Sequence, residues 1–294
     1  SVAIGRLAKA SGSNSVAIGN FTKAAGAQSV VVGYQSNDTS TGEGAAAFGR
    51  NADAGSPYSA ALGPESVTAG LNNYASALTR SYASGADSFA AAIANNTSSY
   101  GATGSNSLAI GKQNKATATI STAVGGQNCV ASHNYAFASG NGSTASGYAS
   151  TSIGHSNTAS EFYTVSTGGF ALANLWGKQA HASGAFGTVG DAQTGTLVLR
   201  SETTDATASV LTSTNGAAST NNQVILPNNS AYSFSGTIVA RQKASDGTAS
   251  AAWKIEGLIR REANAASTVL VTSPLTVLDN TPAWGLALTA DTTN

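Results

Sequence analysis

Apolar residues enter this chain in short, evenly spaced bursts. Ser1-Val2-Ala3-Ile4-Gly5 returns as Ser15-Val16-Ala17-Ile18-Gly19 and as Ser29-Val30-Val31-Val32-Gly33, two steps of 14 residues. Looser copies run from Ala45 to Gly49, from Ser59 to Gly63, and through Ser107-Leu108-Ala109-Ile110-Gly111, Thr122-Ala123-Val124-Gly125 and Ser152-Ile153-Gly154. Aligned on the glycine, one column reads Gly5, Gly19, Gly33, Gly49, Gly63, Thr79, Ala94, Gly111, Gly125, Ser139, Gly154, Gly168 and Gly187. The residue before it is mostly bulky (Ile4, Ile18, Val32, Phe48, Leu62, Leu78, Ile93, Ile110, Val124, Ile153, Phe186), and the residue two before it is mostly alanine.

Strand geometry turns this pattern into an architecture. Val2 and Ile4 are two apart and share a face, while Ala3 points the other way. The glycine supplies a backbone conformation that other residues avoid and so turns the chain. A second short segment such as Ala8 to Gly12 closes the coil, giving two short strands and two turns per repeat. Coils of this kind stack in parallel about 4.8 Å apart. The expected fold is therefore all-β, with a parallel β-roll over 1–188. Its large aliphatic residues are expected inside each coil. The alanine column is expected as a flat outer surface for contact with sister chains, hence a homotrimer.

After Gly187-Thr188-Val189-Gly190-Asp191 the rhythm changes to longer alternations. Candidate strands are Thr196–Arg200, Ala206–Thr212, Gln223–Leu226, Ala231–Gln242, Ala249–Arg261, Thr268–Leu278 and Trp284–Thr289. Tyr232, Phe234, Ile238 and Ala240 alternate with polar residues, as do Trp253, Ile255 and Ile259, and Asp246-Gly247 sits between the two runs as a hairpin dipeptide. These features predict an antiparallel β-sandwich or jelly-roll-like domain over 189–294.

Composition narrows the function. The 294 residues hold 14 basic and 14 acidic side chains, and charged residues are only 10%, against about 25% in an ordinary soluble domain. No basic surface awaits nucleic acid, and no apolar run approaches the roughly 18 residues of a membrane-spanning helix. A lone Cys129 allows no internal disulfide. The chain starts inside a repeat and ends on a strand-like stretch, which reads as a fragment of a longer protein.

Catalytic constellations are nearly absent: there is no GxSxG, GxxxxGK[ST], GxGxxG, HExxH or CxxC, so neither an enzyme nor a cofactor is expected. Cys129 would need a base, and His133 stands four residues on; burial as a small hydrophobe is the simpler reading. His133, His155 and His181 fall in separate coils and would form an ion site only around a threefold axis, His181 being the best placed. Asp38 and Glu43 lie in the insertion that stretches one coil and would suit glycosidic hydrolysis as a pair, although solvated acidic loops are the commoner arrangement. Asp191 is expected to cap a turn or pair with Arg200. Trp176 stands where the repeats end and would plug that end; Trp253 reads as core. Trp284, Lys254 and Arg260 are the receptor-binding candidates, with Arg261 beside them, and the loops Ser213–Asn222 and Lys243–Thr248 are the positional choice.

The Ser-Val-Ala-Ile-Gly coils resemble the left-handed parallel β-roll heads of trimeric autotransporter adhesins, over roughly 1–190. A second resemblance covers 175–294. Gly177-Lys178-Gln179-Ala180-His181-Ala182-Ser183-Gly184, Gly190-Asp191-Ala192-Gln193, Leu197-Val198-Leu199-Arg200, Val239-Ala240-Arg241 and Trp253-Lys254-Ile255-Glu256-Gly257 look like a module at the C-terminal ends of phage tail-fibre proteins. Together the resemblances imply a bacteriophage tail fibre: a trimer on the virion, attached to other tail proteins and presenting a tip to a glycan or protein receptor on the bacterial surface. The alternative is an adhesin head on a bacterial cell surface, and the third reading is a polysaccharide-degrading tailspike. None of these involves nucleic acid or membrane insertion by this segment.

Overall fold

The structure, a computed structural model, describes residues 1–38, 43–69, 74–95, 97–243, 247–280 and 282–293, without the side chain of Asp38. They fall into two compact units, Ser1–Gly216 and Ala217–Asn294.

The first unit is a parallel β-roll. Two strands alternate along the chain, for example Val16–Asn20 followed by Lys23–Ala24 and then Val30–Tyr34. Among the described residues the first kind, with the antiparallel Thr194–Thr196 at its end, makes up a sheet of 14 strands, and the second a sheet of 12. The register is the repeat itself: Val2 pairs with Val16, Val16 with Val30, and Thr151 with Val165. Three positions per coil take positive φ, as at Gly19 (123°), Phe21 (57°) and Gln28 (57°). These turns fold about 14 residues back onto the coil below. Backbone N–H groups then donate from coil to coil, as in Val16 to Ser29 at 2.9 Å and Lys9 to Thr22 at 2.9 Å.

The register corrects three members of the glycine column. Ala92 follows Ala91, the partner of Ile110, so it takes the place assigned to Ala94. Gly140, not Ser139, pairs with Gly154, and Ala182, not Gly187, pairs with Gly168. Ile93 is fully buried instead of marking a strand end. The long step in the repeat therefore lies between Phe89 and Leu108, which pair across 19 residues.

The roll is also inside out relative to expectation. Ala17, Ala47, Ala61, Ala77, Ala109 and Ala123 have no exposure and line the interior, whereas Ile18 (37%), Phe48 (40%), Ile110 (37%) and Ile153 (43%) face outward. Alternation assigns residues to two faces without saying which face is inside. Here the coil is so tight that a methyl group fills it. The buried clusters of the roll are almost entirely alanine, with Val31, Ile93 and Cys129 the larger apolar members.

Polar residues complete the interior at the corners. Ser15, Ser29 and Ser59 donate to the carbonyl three residues back, each at 2.7 Å. Asn157 Nδ2 donates to the Ile153 and Gly168 carbonyls (2.7 and 2.9 Å), and its Oδ1 accepts from the Ala171 N–H at 2.8 Å. One amide thus ties two coils together and satisfies the buried groups of both.

The last parallel strand is Gln179–Ser183. Thr194–Thr196 turns back and pairs antiparallel with it, and the Gln193 amide exchanges hydrogen bonds with the Leu172 backbone (2.7 and 3.1 Å). Both sheet edges are covered at this end, which blunts them as templates for another chain.

In the second unit Ser230–Arg241 and Ser250–Arg261 pair over twelve positions, from Ser230–Arg261 to Arg241–Ser250. Val269–Thr272 and Leu275–Asp279 both pair along the other side of Ser250–Arg261, completing a four-stranded antiparallel sheet. The expected alternation holds: Tyr232, Phe234, Ile238, Trp253, Ile255 and Ile259 share the more buried face. Of the seven candidate stretches, Thr268–Leu278 splits at Pro274, which has no N–H for the ladder. Gln223–Leu226 and Trp284–Thr289 form no strand, Ala206–Thr212 gives only a bridge from Thr212 to Arg200, and Thr196–Arg200 keeps only Thr196 in a strand. A second sheet is not found among the described residues. The Asp246 half of the hairpin dipeptide and Ala244 to Asp246 of the Lys243–Thr248 loop lie outside them. Among the described residues, no helix is long and apolar enough to cross a membrane.

Candidate binding site

Two outer features of the roll are built by its repeat. The first is the outward row Ile4, Ile18, Val32, Phe48, Leu62, Leu78, Ala91, Ile110 and Val124, each in register with the next. Beyond Val124 it continues as Ser139, Ile153, Thr167 and His181. Such a row, on a parallel stack of coils, presents large apolar groups about 4.8 Å apart.

The second is an aromatic corner. Tyr148, Phe162 and Trp176 recur at 14 residues and stack: Tyr148 to Phe162 at 5.6 Å and 26°, Phe162 to Trp176 at 4.5 Å and 5°. Tyr135, Tyr163 and His133 meet this stack edge-on or tilted. The 14-residue recurrence was visible in the sequence, but the glycine-column reading passed over it because the rings occupy a different phase. Beside Tyr163 and Trp176 opens a cleft of about 490 Å³, lined also by Gly177, Val198, Arg200 and Ser213.

One family model matches: the YadA head domain repeat (2 copies). Its matches cover residues 1–22, 10–36, 40–66 and 102–128. No curated protein matches the chain. The spans of the YadA head repeat hold the coils whose outward row is most apolar, from Ile4 to Leu62 and again at Ile110 and Val124. They stop before the aromatic corner.

The receptor candidates Trp284, Lys254 and Arg260 lie outside the YadA head repeat spans, in the second unit. Lys254 faces Glu256 (3.6 Å) and Arg260 faces Glu262 (3.8 Å), all four being exposed. Six residues of extended chain, about 20 Å, separate the two cations. Arg261 does not join them: it is buried, and its Nε donates to Thr268 Oγ1 at 2.9 Å. Trp284 is half-buried in a turn where its N–H donates to Asn280 Oδ1 at 2.8 Å. Trp253 is buried, as its alternation implied.

The chemically suggestive residues of the roll have structural surroundings. Cys129 occupies the same corner as Asn114 and Asn157, with its Sγ donating to the Gly140 carbonyl at 3.1 Å, and burial pushes the thiol pKa up. His133 belongs to the aromatic corner, His155 lies edge-on to Phe170 at 5.0 Å, and His181 Nδ1 is 3.0 Å from Thr167 Oγ1. Glu43 accepts from the Tyr58 hydroxyl at 3.0 Å, which raises the tyrosine pKa; the Asp38 side chain lies outside the described residues. Asp191 caps a turn. The N–H groups of Thr188, Gly187 and Phe186 reach it at 2.8, 2.7 and 2.9 Å and hold its carboxyl below the usual carboxylate range. In the last coil the large buried side chains are Leu175 and Lys178, while Trp176 is only half-buried at the corner.

Proposed function

We propose that this protein is the β-roll head of a trimeric surface adhesin, displayed on a bacterial cell and acting by binding, not catalysis. The carrying observation is the outward aliphatic row on the coils that match the YadA head repeat. A contiguous exposed apolar stripe on a low-charge surface marks an interaction face. Three parallel copies burying it would stabilise a roll whose own interior is little more than methyl groups. The tail-fibre reading gives way to this one: it rested on residues 175–294, and the matched spans support the adhesin head instead.

The test is mass by light scattering, followed by binding of the labelled protein to mammalian matrix proteins and to a panel of bacterial cells. Three chains per particle and matrix binding are expected. A monomer would remove the trimer, and strain-selective capture by bacteria would return the tail-fibre reading. Release of reducing ends from capsular polysaccharide would overturn the non-catalytic assignment.

A further inference from the structure

The cleft at the end of the aromatic corner carries an assignment of its own. Trp176 is the last ring of its stack. Phe162 lies flat against one face at 4.5 Å and 5°, and at the next 14-residue step the chain has Gly190. Among the described residues no ring covers the other face. Tyr163 stands at 65° to Trp176, with centroids 5.9 Å apart, so the two rings form an angled wall. A side chain at Gly177 would meet nothing within 4 Å, which leaves the floor between them open.

Of the other lining residues Val198 is apolar, and Arg200 and Ser213 bring polar side chains. Arg200 is fixed by its backbone, which exchanges hydrogen bonds with Thr212 at 2.8 and 3.2 Å. Its guanidinium has no carboxylate partner among the described residues. Ser213 is 8% exposed, and its Oγ is buried without a hydrogen-bond partner. A buried hydroxyl left unpaired costs free energy that a ligand would recover.

These groups specify a ligand. A flat aromatic face left open takes the apolar C–H face of a pyranose ring, as amphipathic rings do at binding surfaces. An unpaired guanidinium takes a carboxylate through two parallel N–H···O bonds. The volume, about 490 Å³, lies within the range of small-molecule sites and admits one sugar with parts of its neighbours. We propose that this cleft binds a carboxylate-bearing sugar residue of a surface glycan, stacked on Trp176 and paired with Arg200. The assignment rests on the reading of the protein as a surface-binding head, and it names the ligand class.

The test is titration calorimetry of the whole protein with two acidic probes, sialyllactose and a tetrasaccharide alternating glucuronate and N-acetylglucosamine. Lactose and the N-acetylglucosamine tetramer are the neutral controls. Saturable binding of at least one acidic probe is expected, about tenfold or more tighter than its neutral counterpart and weakening with salt. Arg200→Gln and Trp176→Ala should each weaken it by about tenfold or more. Lys9→Ala, at an exposed position of the first coil, should leave it unchanged. Arg200 is exposed, so Arg200→Gln keeps the test valid if Trp176→Ala misfolds. No saturable binding of either acidic probe, equal binding of the neutral sugars, or indifference to Arg200→Gln overturns the proposal. Matrix adhesion measured in parallel separates the two readings: if it persists while the acidic probes do not bind, the glycan site fails and the adhesin reading survives.

Discussion

Gly154 and Gly169 are close neighbours in register with opposite demands. Gly154 has φ near 125°, and a Cβ there would collide with the Gly168 carbonyl oxygen; at Gly169 a Cβ would meet nothing within 4 Å. Gly154→Ala should cost about 3 kcal/mol or more, and Gly169→Ala should stay within about 0.5 kcal/mol of the parent, both read by chemical denaturation. The glycine slot was legible because it needs both an unusual φ and a close stacking approach. It failed at Ala92 and Ala182, where the coils deviate and alanine stands in the same register. Lys178 was not legible as buried, because nothing local in the sequence shows that the last coil encloses it. Burial lowers its pKa to about 8 from 10.5. Between those values the unfolded chain holds a proton that the folded chain has shed, so stability should rise with pH across that window and carry the full cost of the buried ammonium below it. Lys178→Leu should therefore stabilise the fold by roughly 2–3 kcal/mol near pH 7 and abolish the rise, as denaturation at three pH values would show.

Strands are where alternation informs most and misleads most. In the second unit the period-2 pattern identified both long strands and their more buried face, because a wide sheet has room for Tyr232, Phe234 and Trp253 on one side. In the roll the same pattern paired Ala109 with the interior and Ile110 with the outside. Size suggested the reverse. What decides is the width of the coil, set by turns every few residues, and sequence periodicity does not report width. Ala109→Leu should consequently cost about 3 kcal/mol or more or prevent folding, since overpacking an enclosed layer cannot be relieved, whereas Ile110→Leu should change stability by less than about 1 kcal/mol. Comparing soluble yield and melting of the two variants checks this.

For the whole molecule, the outward row is the feature with the widest reach. Replacing Ile18 and Ile110 together by aspartate should convert the proposed trimer to a monomer while the roll keeps its β-sheet signal, as sedimentation and circular dichroism would show. Composition foretold an unusual surface, since only 10% of residues are charged, but the residues that make it apolar were first assigned to the interior. The alanine layers carry a last consequence. Among the described residues most layers of the lumen are alanine, and each coil hydrogen-bonds to its neighbours, so an alanine layer is not tied to a particular height in the stack. A gene that gained or lost one whole repeat by misaligned recombination would encode a longer or shorter roll with the same interior. The roll's length is thus free to drift between lineages while its cross-section is held constant.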